Sequence, residues 1–472
     1  MALKKNSFCA LLNFVTLAIF LGLSGCQAQK TPFFSNIPGD WCRTRSDPCC
    51  LQRQDDCSVP IFGTLCYCDE FCNRDYNPDC CPDYTPVCLG ISRPSTAPPE
   101  PVSRCFHNGQ YFQEGDVITD NCNTCECLPN GVASCTNTRC LVEASLLQQL
   151  GGDQAGTYPN RWGWQATNYT IFWGRKLEEG VLHRTGTEHT DVNLNPIFLD
   201  YNPATIPPEF DARAKWRQRI SRVRDQGWCG SSWAFSTITV ATDRLAIESE
   251  GLEAVPLSPQ NLISCDRRVQ QGCEGGKIER AWQYLRRYGV VDETCYPYTS
   301  GTSFVKDICK IPRRSSFLTV QCDSPAHQAV GRESLYKMEP AYRIRSRESD
   351  IQYEIMTNGP VQARMRVEQD FFSYMSGVYS SSGLSDPSVV GHHSVRLIGW
   401  GEQYSDYERR PVKYWLAANS WGEDWGERGL FKIRRGVNES GIEENILAVR
   451  AGLLTQYPSN LIADAQSEWF YI

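Results

Sequence analysis

Cysteine is scarce over most of this chain: only six of the 24 in its 472 residues lie beyond residue 200, so that part must fold on an ordinary apolar core. Long basic tracts are missing too, and the net charge is a mild −7, which argues against binding driven by phosphate neutralisation and so against a nucleic-acid partner. No Arg-Gly-Asp tripeptide is present to suggest direct integrin docking. Apart from residues 8–23, no apolar run approaches the roughly 20 residues that a spanning helix needs, so no membrane insertion is expected. That one run follows Lys4 and Lys5, contains Asn13 and Thr16, and leads to small residues at Ser24, Gly25 and Ala28. It reads as a signal peptide over residues 1–28, whose removal takes Cys9 and Cys26 with it.

What is present is cysteine near one end, with sixteen residues of that type in positions 42–140. A stretch so dense in cysteine cannot bury enough apolar surface to fold unaided and is normally stapled by disulfides, which implies an oxidising compartment and secretion. The first block, residues 42–90, holds Cys42, Cys49, Cys50, Cys57, Cys66, Cys68, Cys72, Cys80, Cys81 and Cys88, and it contains no histidine. Zinc ligation by its thiolates is therefore set aside, and no metal or cofactor is expected in the chain. The string Cys66-Tyr-Cys68-Asp-Glu-Phe-Cys72, followed by Cys80-Cys81-Pro-Asp-Tyr-Thr-Pro-Val-Cys88, resembles a somatomedin B domain, a protein-binding module. Ten cysteines in place of that family's usual eight leave the pairing open. Pro94, Pro98, Pro99 and Pro101 mark residues 91–104 as an extended linker. Residues 105–140, with Cys122-x-x-Cys125-x-Cys127, resemble the first half of a von Willebrand factor type C repeat. Asn168 and Asn438 each open an N-x-S/T sequon and are candidate glycan sites in a secreted chain.

Further on, Ala234, Ile238, Ala241 and Leu245 recur at helical spacing. This sets Ser232 at a helix N-terminus, where free N–H groups and the positive end of the dipole favour an anion. The string Gln226-Gly-Trp-Cys229-Gly-Ser-Ser232-Trp-Ala-Phe-Ser236 matches the nucleophile segment of the papain family, with serine at 232 where that family has cysteine. Gly391-His392-His393-Ser-Val-Arg-Leu-Ile-Gly-Trp-Gly401 is similar to the family's histidine segment and puts His393 at the catalytic position. Asn419-Ser-Trp421-Gly422 is similar to its asparagine segment, and Gln226 falls where the oxyanion-hole side chain lies. The resemblance covers residues 206–455, is nearest to cathepsin B, and leaves residues 456–472 as a tail. It implies an α+β, papain-like fold with two lobes, one helical and one a β-barrel, preceded by the small disulfide-rich modules. Residues 141–205, which include Gly163-Trp-Gln-Ala-Thr-Asn168, resemble a cathepsin B propeptide and are expected to stay attached. The resemblance also implies a bridge between Cys229 and Cys273; Cys265, Cys295, Cys309 and Cys322 then allow three pairings. The Arg313-Arg314 pair reads as solvated, and His392, Trp400 and Trp425 as packing or rim residues.

Serine changes the chemistry. A cysteine thiolate is reached by lowering a pKa of about 8.5, whereas an alkanol ionises near 15.7, so holding it as an anion needs a shift of roughly 8 units, on the order of 11 kcal/mol. Proteins rarely shift a pKa by more than about 5 units. General-base attack remains conceivable, but it wants a carboxylate behind the imidazole. Asn419 is an amide, and an asparagine at that place in serine triads costs about 10⁴ in turnover. The expectation is an inactive peptidase homologue. The modules in this order resemble the tubulointerstitial nephritis antigen family, which implies an extracellular-matrix and basement-membrane glycoprotein that contacts laminin, type IV collagen and integrins. The alternatives are a weakly active hydrolase using Ser232 and a soluble decoy for cysteine proteases.

Overall fold

The structure is a computed structural model that describes residues 37, 39–74, 79–91, 104–151, 161–189, 194–267, 270–311 and 335–453. The signal peptide, nearly all of the linker, Arg313-Arg314, Cys322 and the tail lie outside the described residues. The chain divides into two units, Met1–Glu100 and Pro101–Ile472.

In the first unit the half-cystines are themselves the core. Cys42, Cys57, Cys66 and Cys68 have no exposed surface and pack with Ile61 and Tyr84. Bridges Cys42–Cys68, Cys49–Cys88, Cys50–Cys57, Cys66–Cys81 and Cys72–Cys80 hold one hairpin, β1 (Ser58–Ile61) with β2 (Thr64–Tyr67), against the short helix Tyr84–Cys88. The Asp83 carboxylate accepts from the backbone N–H groups of Trp41 at 2.7 Å and Cys42 at 2.9 Å, tying one end of the module to the other.

The second unit opens with two small sheets, β3 (Arg104–His107) with β4 (Gln110–Gln113), and β5 (Val117–Asp120), β6 (Asn123–Cys127) and β7 (Ala133–Cys135). They are stapled by Cys105–Cys127, Cys122–Cys140 and Cys125–Cys135. This module is clamped to the larger body of the same unit: Gln369 Nε2 donates to the Cys140 carbonyl at 2.8 Å, Asn121 Nδ2 to the Val142 carbonyl at 2.6 Å, and Arg139 pairs with Asp386.

The remaining strands are β8 (Trp164–Ala166), β9 (Pro196–Ile197), β10 (Phe210–Asp211), β11 (Lys337–Met338), β12 (Tyr342–Ile344), β13 (Val361–Val367), β14 (Tyr374–Tyr379), β15 (Gly391–Ser405), β16 (Arg410–Ala418), β17 (Leu430–Arg434), β18 (Ile446–Ala448) and β19 (Ala451–Gly452). Ten of them form one sheet in the order β8-β14-β17-β16-β15-β13-β18-β12-β9, with β10 against β15. Here the expectation of a β-barrel lobe has to be corrected. Closure requires the two end strands to pair with each other, and these ends are β8 and β9, three and two residues long, which pair only inward, on β14 and β12. Among the described residues no sheet closes. The unit is a mixed α/β fold, and its sheet edges are capped by the segment that precedes residue 206.

Two apolar cores hold it. One contains Trp415, Phe431, Val361 and Ile446 from the sheet together with Leu141, Leu147, Leu150, Trp164, Phe172 and Leu177, so residues 141–151 and 161–177 contribute to the same core as the sheet. The other surrounds the helix Ser232–Glu248, against helices Pro259–Cys265 and Ile278–Arg287. Ala234, Ile238, Ala241 and Leu245 are all buried on that long helix. It ends where Glu250 and Gly251 turn to positive φ, and the Gly251 N–H returns to the Ala246 carbonyl at 2.8 Å.

Candidate functional site

Ser232 is the first residue of the long helix and is fully buried. His393 lies on β15 opposite Met365 of β13. The pleat turns its ring inward, completely buried, while the neighbouring His392 faces out. His393 Nε2 donates to Asn419 Oδ1 at 2.7 Å, and that oxygen also accepts the Ser420 N–H at 2.8 Å. With the proton on Nε2, Nδ1 carries the lone pair; it is buried and has no hydrogen-bond partner among the described residues. Burial drives the His393 pKa down to about 4, against a smaller upward pull from the Asn419 hydrogen bond, so at neutral pH the ring is uncharged. The Trp421 indole sits beside it with centroids 5.2 Å apart, its N–H donating to the Arg184 carbonyl at 2.6 Å.

Ser232 makes no hydrogen bond to this ring, because its hydroxyl is engaged by a segment from upstream. Residues 185–189 run through the cleft between the start of the long helix and β15. The Thr187 N–H donates to the His392 carbonyl at 2.9 Å, the Glu188 N–H to the Gly276 carbonyl at 2.8 Å, and the Gly276 N–H to the Gly186 carbonyl at 2.9 Å. Only glycine fits at 186, where φ is +107° and a Cβ would lie 2.0 Å from the Gly230 carbonyl oxygen. Thr187 Oγ1 lies 2.8 Å from Ser232 Oγ and 2.8 Å from Ser394 Oγ, and Ser394 Oγ lies 2.7 Å from Ser236 Oγ.

The direction of this hydroxyl chain is set at its far end. Ser236 donates its one proton to the Ser232 carbonyl at 2.7 Å and accepts from Gln362 Nε2 at 2.7 Å, so Ser394 must donate to Ser236. Each hydroxyl has a single proton. Thr187 therefore donates to Ser394, and Ser232 donates to Thr187. The Ser232 proton points along this chain and away from the lone pair of His393.

The donors that would face an oxyanion are occupied as well. The Ser232 N–H donates to the Thr185 carbonyl at 3.2 Å. Gln226 Nε2 is shared among the carbonyls of Cys229 at 2.8 Å, Thr185 at 3.3 Å and His183 at 3.3 Å, while its Oε1 accepts from Ser420 Oγ at 2.6 Å. Both groups thus converge on Thr185, and the site holds the chain itself. Around it, Cys229 is bonded to Cys273 and Cys265 to Cys309; Cys295 is also disulfide-bonded. Trp400 and Trp425 are buried in the sheet core.

Two groups of side chains have the spacing of metal ligands, Cys42 with Cys68 and Cys81, and His107 with Cys125 and Cys135. Every sulfur in them belongs to a disulfide. Among the described residues, no helix is long and apolar enough to cross a membrane.

Comparison with known proteins agrees with this geometry. The model of papain family cysteine proteases matches residues 206–450. Tubulointerstitial nephritis antigen-like of Homo sapiens is 41% identical over 428 residues, covering 87% of this chain and 88% of that protein. This chain belongs to the tubulointerstitial nephritis antigen branch of the papain family. Tubulointerstitial nephritis antigen of Homo sapiens is 40% identical over 448 residues that cover 90% of this chain and 89% of that protein. Among solved structures, procathepsin B S9 from Trypanosoma congolense superposes with a TM-score of 0.53 at 26% identity, covering 66% of this chain and 98% of that one. For this member of the branch, sequence motifs single out Gln226, Ser232, His393 and Asn419. They do not single out Thr185, Gly186, Thr187 and Ser394, which fill the site and bond to it. The only signal for the first three is a glycine between two threonines in a stretch without any motif.

Proposed function

We propose that this protein is a secreted, glycosylated basement-membrane component that does not cleave peptides. Its peptidase-like domain, with serine in the nucleophile position, is a disulfide-braced scaffold. The cysteine-rich modules and outer faces bind laminin, type IV collagen and cell-surface integrins. Residues 141–205 remain attached, since Leu141, Leu147, Leu150, Trp164, Phe172 and Leu177 belong to the core of the sheet. The observation that carries the non-catalytic reading is the hydroxyl chain that takes the Ser232 proton to Thr187. Attack by Ser232 would require breaking that chain and expelling the Thr185 carbonyl, each buried hydrogen bond being worth about 1 kcal/mol. It would also have to proceed without a carboxylate behind His393. Glycans on Asn168 and Asn438 are compatible with the exposure of both residues.

The test is a pair of measurements on the purified secreted chain. Dipeptide fluorogenic substrates should show no turnover above a Ser232→Ala control, and immobilised laminin and type IV collagen should retain the wild-type protein. Turnover that disappears in Ser232→Ala would refute the scaffold reading. Failure to bind either matrix protein would instead favour a soluble decoy.

A further inference from the structure

Residues 213–224 gather Arg213, Lys215, Arg217, Arg219, Arg222 and Arg224, six basic groups in twelve positions of a chain whose net charge is −7. Three of them are already held. Arg213 pairs with Asp211 at 2.6 Å, Arg224 with Glu293 at 2.7 Å, and Lys215 Nζ donates to the Met356 carbonyl. Among the described residues, Arg217, Arg219 and Arg222 form no ion pair. Arg217 and Arg222 are exposed and Arg219 is half-buried.

The backbone beneath them is fixed. Trp216, Ile220 and Val223 pack inward on Ala212, Ile398, Ala418 and Leu430, and the Trp216 N–H donates to the Ala212 carbonyl at 2.8 Å. The carboxylates bordering the segment are matched elsewhere, Asp225 to Arg184 at 2.8 Å and Asp243 to Arg396 at 2.5 Å. This short, fixed stretch therefore presents three arginines without ion pairs, Arg217 and Arg222 on its exposed face and Arg219 half-buried beside them.

We propose that this face binds a sulfated polysaccharide. Disulfides from Cys42–Cys68 at one end of the chain to Cys265–Cys309 in the peptidase-like domain place the protein in an oxidising space, where linear polyanions are sulfated glycans rather than nucleic acids. Five of the six cations are arginine, whose planar fork matches a sulfate oxyanion in two-point contact and is more weakly hydrated than an ammonium group. The inference relies on the matrix reading only for its compartment.

The test uses the full secreted chain on immobilised heparin. Wild type should be retained at about 0.15 M NaCl, and R217A/R219A/R222A should elute at lower salt, with the slope of log K against log salt smaller by about 3. The R286A/R287A variant, changed on a different exposed helix end, should behave as wild type, and desulfated heparin should not compete. Equal elution of the triple variant and wild type overturns the proposal, as does equal loss in R286A/R287A or full competition by desulfated heparin. Laminin capture, measured on the same samples, reports separately on the matrix reading.

Discussion

At His393 one ring nitrogen is satisfied by Asn419 and the other faces no acceptor, inside a fully buried site. Protonation must therefore place a charge where nothing solvates it, which is why the pKa falls to about 4 from the usual 6.5. The unfolded chain binds a proton at about pH 5 that the folded chain refuses. The stabilising contribution is thus complete above about 6.5 and is lost as the pH falls through 4, on the order of 3 kcal/mol for this shift. Denaturant melts at about pH 7 and pH 4 should show a smaller acid loss in His393→Gln, which cannot take up the proton, than in wild type. Equal losses would mean that His393 does not titrate as a buried neutral ring. Gln226, Ser232, His393 and Asn419 are legible in the sequence because each stands in a dense string with fixed neighbours. Thr187 is not, since its role depends on three hydroxyls from separate parts of the chain meeting within 2.8 Å.

The segment 185–189 is the element on which the chemistry turns, and Gly186 is the position where it is most constrained. A methyl group there would meet the Gly230 carbonyl at 2.0 Å on a backbone of φ +107°, so the segment must lift. With Ser232→Cys as a reporter, the thiol should react slowly with iodoacetamide in the otherwise native chain, because residue 232 is fully buried. Adding Gly186→Ala should raise that rate tenfold or more; unchanged labelling would show that the segment does not guard the residue. Sequence periodicity reveals the helix Ser232–Glu248, whose buried positions 234, 238, 241 and 245 are spaced for one face. It does not reveal the open sheet. Whether a sheet closes depends on its end strands, and β8 and β9 are three and two residues long, too short for any alternation to register.

At the scale of the whole molecule, side chains before residue 206 share an apolar core with the sheet that follows it. Leu141, Leu147, Leu150, Trp164, Phe172 and Leu177 are each buried in the sheet core. At roughly 1.5–3 kcal/mol for each large apolar side chain, removing them approaches the entire stability of a typical domain. A chain beginning at Pro101 should melt cooperatively at the temperature of the corresponding transition in full-length protein. One beginning at Ile206 should melt at least about 10 °C lower or fail to stay in solution. Comparable melting of the two would show that residues 141–205 are dispensable. The segment that fills the cleft is also tethered on both sides: β8 precedes it and β9 comes after it, at opposite edges of the same sheet. Emptying the cleft therefore means unfastening two borders of the sheet together, an event on the clock of global unfolding rather than of a swinging loop. A visiting peptide that stays only milliseconds will find the groove shut on nearly every encounter.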